Sequence, residues 1–416
     1  MAVTPSGAVI VPRLATAVVG EGPVRGGALG KLTTDSPAAL AWDDGVITYV
    51  GSAEGFSGNA RELGRGCVVP GFVDCHTHLP FFGWRADEFE ARLAGASYRD
   101  LHGEGGISRS ARMLAAASDD EVLAFCAPLL SEMAAAGTTA LEMKTGYGLS
   151  VEAELRQARL ARTLAARVPQ TCNVTLLACH AVPDGMTRED WVRAACEELI
   201  PAASSEGLVD AVDIYVEDIA FTVDDLRKVA ASAKAAGLAV RCHADQLGAS
   251  RAAEVAAEIG ARSADHLNHI GAEGIASLAA APTIAVVLPA STLMLRAPAP
   301  PVRKLIDAGA AVALSTDFNP GTSPVLSMPE VIALACSLYG MLPAEALTAA
   351  TANPAWVLGL SDSLGTLSVG KRADFLVLDS DDVRDIPYRP GHSPVVETWI
   401  GGELVASRSD PGARAV

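Results

Sequence analysis

Histidine is scarce in this chain, with eight among 416 residues, and aromatic side chains make up only 5%. Any site built on imidazoles is therefore quickly enumerated. Basic residues are in deficit as well: 32 Lys and Arg stand against 49 Asp and Glu, a net charge of −17. Such a balance disfavours attraction to phosphate backbones or anionic membranes and favours a small ligand. The eight cysteines, at 67, 75, 126, 172, 179, 196, 242 and 336, are scattered singly with no Cys-x-x-Cys pair. That pattern excludes a thiolate zinc cluster and reads as reduced, buried small side chains. No window approaches the roughly 20 uninterrupted apolar residues of a membrane span. The opening residues Met1–Gly7 show no basic segment followed by an apolar one and a cleavage site, so a cytoplasmic protein with neither membrane nor nucleic-acid partner is expected.

What the chain has in abundance is hydrophobic residues, 50% of the total, in short runs that alternate with Ala-rich helical stretches. Apolar strands are read at 67–73, 138–143, 173–178, 211–215, 239–242, 263–265, 283–288 and 311–315, each separated by helix-competent sequence. Eight strands in a β-then-α rhythm predict an α/β fold, a (β/α)8 TIM-like barrel. Short β-rich segments at both ends, such as Val46–Val50 after an Asp43-Asp44-Gly45 turn and Val395–Ile400 before Gly401-Gly402, predict a small β-sandwich domain completed by both termini. The expected organisation is 1–69 and 365–416 for that β-sandwich domain, with the barrel over 70–364.

Barrel chemistry resides at the C-terminal strand ends. The first apolar run ends in Gly71-Phe72-Val73-Asp74-Cys75-His76-Thr77-His78. Residues i and i+2 of a strand share a face, so His76 and His78 present two imidazoles side by side. Further polar groups close the second strand (Glu142 to Gly148), the third (His180), the fourth (Glu217-Asp218), the fifth (His243 to Gln246), the sixth (Asp265-His266) and the eighth (Ser315 to Thr322). Four histidine-bearing ends and a terminal Asp exceed what a satisfied core requires. His76, His78, His243 and Asp317 form a three-imidazole, one-carboxylate set suited to one divalent metal, zinc or iron, with a position left for water. A hydroxide on such an ion hydrolyses amides, amidines or lactams. His266 is the candidate for proton transfer alongside Asp317, since an imidazole can accept a proton and return it.

With these motifs the chain resembles the amidohydrolase superfamily. Finer stretches, Arg85–Phe89 with Arg92–Tyr98, Lys144–Leu149, His180–Pro183, His243–Leu247, Ser263–His266 and Ser315–Ser323, are similar to the branch that opens an imidazolone ring in histidine degradation. The resemblance implies hydrolysis of 4-imidazolone-5-propanoate to N-formimidoyl-L-glutamate, with the metal-bound hydroxide attacking the ring amide carbonyl. It carries His76, His78, His243 and Asp317 over as ligands, and Arg85, Tyr147, His180, Gln246, Asn319, Gly321 and Thr322 as substrate contacts. It also suggests a homodimer. An anionic substrate in an acidic protein needs a local cation, and Arg85 offers a bidentate fork. Two rivals remain at this stage: a related hydrolase or deaminase acting on another heterocycle, and a non-catalytic barrel scaffold, which metal content would separate from both enzymes.

Several positions depart from that pattern or resist it. Gln246 stands where some relatives carry Glu, so it is expected to orient rather than to move protons. The segment Gly103-Glu104-Gly105-Gly106-Ile107 interrupts an expected glycine run. Lys144 lies at a strand end, and in binuclear superfamily members a carboxylated lysine bridges two metals; because the closer family uses one metal, pairing of Lys144 with Glu142 or nearby Asp residues is the favoured alternative. His269 is expected in a surface or capping role, and His102 and His392 as ordinary loop residues.

Overall fold

The computed structural model describes residues 6–96 and 105–408. Its centre is an eight-stranded sheet in which every neighbouring pair is parallel. We number its strands β1 (Phe72–Asp74), β2 (Thr138–Lys144), β3 (Thr171–Cys179), β4 (Ala211–Val216), β5 (Ala239–Ala244), β6 (Ser263–His266), β7 (Ile284–Val287) and β8 (Val312–Leu314). The sheet runs in chain order from β1 to β8. Closure comes just beyond the strand ends. Asp317 donates its N–H to the His76 carbonyl at 3.0 Å and His78 its N–H to the Phe318 carbonyl at 2.9 Å. Asp74 staples the same seam, accepting from the Ser315 hydroxyl and, at 3.1 and 2.6 Å, from the Thr316 N–H and hydroxyl. The eight expected strands are all present, and the segments that close the barrel also carry the candidate ligands.

Helices cover the barrel because each strand-to-strand crossover needs one on the outer face. Local signals set their ends. The helix Asp119–Ala135 starts at a capping box in which the Ser118 side chain accepts from the Glu121 N–H and the Glu121 carboxylate returns to the Ser118 N–H. Val151–Ala165 starts at Ser150 in the same way, without the reciprocal bond.

The run 67–73 is not one strand, as its apolar continuity predicted. Cys67–Pro70 pairs with Arg13–Ala17 and with Phe375–Leu378 in a separate six-stranded sheet, whereas Phe72–Asp74 is β1. Gly71 divides them: its N–H goes to the Asp374 carbonyl at 3.0 Å, and a Cβ there would overlap the Thr139 side chain. Periodicity cannot reveal such a break, since both halves are fully buried. The six-stranded sheet draws on both chain ends, adding Leu32–Asp35, Val395–Ile400 and Glu403–Ser407. A four-stranded sheet lies within the N-terminal portion, and its Asp44-Gly45 turn takes positive φ at both residues (52° and 73°), the backbone that a two-residue hairpin loop demands. Phe375 and Trp399 stack, and Trp42 meets both at an angle, in the small apolar core that includes residues of both sheets. No helix of the described residues is long and apolar enough to cross a membrane.

Candidate active site

At the C-terminal mouth of the barrel, His76 (0% exposed), His78, His243, His266 and Asp317 are brought into one buried cluster. Ligand atoms of His76, His78 and Asp317 lie within 4.8 Å of one another, and so do those of His76, His243 and His266. His78 Nε2 stands 3.2 Å, and His76 Nε2 3.6 Å, from Asp317 Oδ1. The predicted ligands therefore converge, and His266 joins them as a fifth donor. His266 and Asp317 adopt left-handed backbone with φ of 77° and 55°, as do Leu267 and Asp245. Residues held in such conformations cost of order 1–3 kcal/mol each and are tolerated where the surroundings over-determine them.

The imidazoles are oriented from behind. His76 Nδ1 meets Asp265 Oδ2 at 2.6 Å, and His243 Nδ1 meets Asp213 Oδ1 at 3.1 Å. A carboxylate at Nδ1 places the ring proton there and leaves Nε2 as a lone pair directed into the site. Nε2 of both rings is buried and has no hydrogen-bond partner among the described residues. Two buried, unpartnered nitrogens facing a carboxylate are a donor set for a cation. Burial lowers the basicity of His76 and His78, and pushes His266 down to about 3, so all three are neutral near pH 7. For Asp317, burial alone would raise the pKa; the hydrogen bond from His78 and the surrounding imidazoles outweigh it and hold the carboxyl below its ordinary range.

A pocket opens beside the cluster, lined in part by Arg85, Tyr147, His180, Gln246, Asn319 and Thr322. Each has its own support. His180 Nδ1 meets the Gly146 carbonyl at 2.9 Å, which turns Nε2 outward. Glu154 gathers the N–H groups of Gly146, Gly148 and Leu149, holding the loop that carries Tyr147. Glu217 accepts the Gln246 and Leu247 N–H groups at 2.5 and 2.9 Å. Arg85 is 3% exposed, with Nη1 3.4 Å from Glu88, while its Nε and Nη1 have no hydrogen-bond partner among the described residues.

Two of the expected substrate contacts are placed differently from the others. The Asn319 side chain is engaged on its own loop, accepting from the Gly321 and Thr322 N–H groups at 3.0 and 2.7 Å and donating to the Asp317 carbonyl at 2.6 Å. Gly321 is not among the cavity-lining residues but lies against Arg85, and its carbonyl accepts from Arg92 at 3.0 Å. Sequence reasoning passed over Tyr215 and Ile107, which also line the cavity, and Asp213, which orients His243. The signal for Asp213 and Tyr215 was present: they are two apart on β4 and share its inner face, and a charged residue in an otherwise apolar strand marks that face. His269 sits in the loop after β6 and donates its N–H to the Asp245 carbonyl; His392 meets Asp379 at 2.8 Å in the C-terminal portion. Ser97, Tyr98, His102 and the Gly103-Glu104 part of the glycine segment lie outside the described residues.

A closed parallel barrel with a buried imidazole–carboxylate cluster at its C-terminal mouth defines a class, and residues 67–405 match the amidohydrolase family, to which the chain belongs. Its relatives narrow the class. The imidazolonepropionase of Deinococcus radiodurans is 46% identical over 384 residues, covering 92% of this chain and 95% of that one. The imidazolonepropionase of Rubrobacter xylanophilus is 44% identical over 397 residues, covering 93% and 95%. Among solved structures, a 5-methylcytosine deaminase from Klebsiella pneumoniae superposes with a TM-score of 0.73 at 17% identity (97% of this chain, 98% of that one). E. coli guanine deaminase follows at 0.71 and 17% (97% and 100%). At such identities these two likenesses speak for the fold.

Proposed function

We propose that this chain hydrolyses 4-imidazolone-5-propanoate to N-formimidoyl-L-glutamate, with one divalent ion, zinc or iron, held by His76, His78, His243 and Asp317. The imidazolonepropionase relatives support the reaction, and one observation in the cavity carries the choice of substrate. Arg85 brings a buried guanidinium with unsatisfied donors to the same cavity as the imidazole cluster. Leaving such donors unpaired is costly, and a carboxylate arm supplies a charge-assisted acceptor. A neutral heterocycle of the kind a deaminase takes offers no carboxylate to these donors, whose charge is met among the described residues only by Glu88 at 3.4 Å.

When bound, the divalent ion supplies Lewis acidity toward water and the ring carbonyl. The chain's own residues do the rest. Arg85 anchors the propanoate, and His180 and Tyr147 hydrogen-bond the planar ring and its oxygen. Gln246, whose amide cannot take up a proton, orients the ring or the water. His266 is neutral and faces the cluster, so its imidazole accepts the proton of the attacking water and returns it to the departing ring nitrogen, with the anionic Asp317 steadying the imidazolium between the two transfers. The hydroxyl goes to the ring carbonyl carbon, the bond from that carbon to the ring nitrogen breaks, and the nitrogen takes the proton.

Absorbance loss of freshly generated imidazolone propanoate tests this, with formimidoylglutamate identified as product and Asp317→Ala as control. Turnover that the substitution abolishes is expected. An ion-loaded protein that leaves this compound untouched would overturn the substrate assignment.

A further inference from the structure

Beneath the cluster, inside the barrel, lies a second set of charges that the reaction above does not use. Glu142 and Lys144 are two apart on β2, so both side chains point inward. Lys144 Nζ stands 2.6 Å from Asp213 Oδ2, 2.7 Å from Glu142 Oε2 and 4.0 Å from Asp265 Oδ2. All four side chains are 0% exposed. Glu142 is met in turn by Arg241 and by the Thr175 hydroxyl. Asp213 and Asp265 are the same two carboxylates that hold His243 and His76 by their Nδ1 atoms.

We propose that Lys144 is a positioning residue: a single ammonium that ties together the two carboxylates orienting the two imidazole ligands, and so sets the affinity of the site for its divalent ion. The inference rests on the metal reading given above.

Three points support it. Asp213 is held at both oxygens, Oδ2 on Lys144 and Oδ1 on His243 with the Ile214 N–H at 2.7 Å, so the plane of its carboxylate is set by the ammonium as much as by the ring. The register of the barrel places Asp265 and Tyr215 beside His243, so Asp213 lies two residues deeper on β4 than the level of Asp265, and Lys144 Nζ is the cation that faces both carboxylates across that offset. Charge completes the case. Three buried carboxylates around one point repel one another strongly at low dielectric, and without the ammonium Asp213 and Asp265 would be driven apart. Contacts of 2.6 and 2.7 Å to two carboxylates also oppose carboxylation of Lys144, since that modification would put a third anion between them.

Partners that hold ligand imidazoles typically change metal affinity 10–100-fold when lost. The test is zinc affinity, measured by chelator competition on metal-stripped protein for the wild type, Lys144→Met, Asp213→Asn and the double variant, with circular dichroism to confirm folding. The expected result is one zinc per wild-type chain, binding weakened roughly 10–100-fold in Lys144→Met, and a double variant that loses less than the two single losses combined, because part of the ammonium's effect passes through Asp213 and the rest through Asp265. Should Lys144→Met fail to fold, Lys144→Arg replaces it in the same cycle, with a smaller loss expected because charge is kept and geometry changed. Wild-type affinity in a folded Lys144 variant, or losses that simply add, would overturn the proposal while leaving the metal reading intact. A wild type that binds no divalent ion would remove both. Intact mass provides an independent readout: an unmodified lysine is expected, and a carboxylated one would refute the pairing.

Discussion

Gly321→Ala should damage this protein through a residue it does not alter. A Cβ built at position 321 falls closer than 3.0 Å to Nη2, Cζ and Nε of Arg85, a separation that real Cβ atoms do not show. Gly321 has no positive φ, so alanine brings no backbone strain of its own. The clash is with the far end of a flexible side chain, and the guanidinium must retreat by ~1 Å or more, a displacement of the size that is felt at a binding site. Stability should therefore change by no more than about 1 kcal/mol, whereas a charge-assisted contact worth roughly 1.5–3 kcal/mol is lost to the substrate. That corresponds to about 10–100-fold in kcat/KM, chiefly through KM, with metal content unchanged. Steady-state hydrolysis of imidazolone propanoate beside Arg85→Met and the double variant measures it. The double should be no worse than Arg85→Met alone, because the new methyl acts only by moving the guanidinium. An unchanged KM in Gly321→Ala, or a double variant with multiplied losses, would refute the assignment of Arg85 to the propanoate.

His266→Gln should lower kcat by roughly 10²–10⁴ while zinc stoichiometry stays at that of the wild type; retention of full kcat would exclude His266 from proton transfer. Glu217 provides a pH test. Burial pushes its pKa from 4.5 up to about 7, so folding favours its protonated form; the resulting penalty is absent below about 4.5, grows as the pH rises towards 7 and is complete above it. Glu217→Gln stays neutral and keeps an acceptor for the Gln246 and Leu247 N–H groups. In urea unfolding it should gain about 1–3 kcal/mol over the wild type at pH 8 and much less at pH 5; an equal difference at both would contradict the shift. Chelation should abolish turnover and lower Tm, and restoring zinc or ferrous iron should recover both, since an ion bound only by the folded state stabilises it. A Tm indifferent to chelator would count against the buried donor set.

Much of this protein is written locally. The alternation of apolar strands with amphipathic helices, the Ser118 and Ser150 caps and the Asp44-Gly45 turn each depend on neighbours within a few residues, and all are readable along the chain. His76 and His78 are legible for the same reason: a period of two puts both on one face. Eight strands in order then suffice to bring their C-terminal ends together, which is why imidazoles from β1, β5 and β6 were recognisable as one cluster before any contact was known. What the tertiary structure alone decided involves partners far apart in the chain. Asp74 meets Thr316 across 242 positions, His76 meets Asp265 across 189, and Lys144 meets Asp213 across 69. No local period encodes these pairings; the register of a closed barrel does, because it decides which inward-facing side chains share a level. The split of 67–73 at Gly71 is of the same kind, since a fully apolar run looks identical whether it serves one sheet or two. Local sequence thus determined which groups point inward, and barrel closure determined which of them meet.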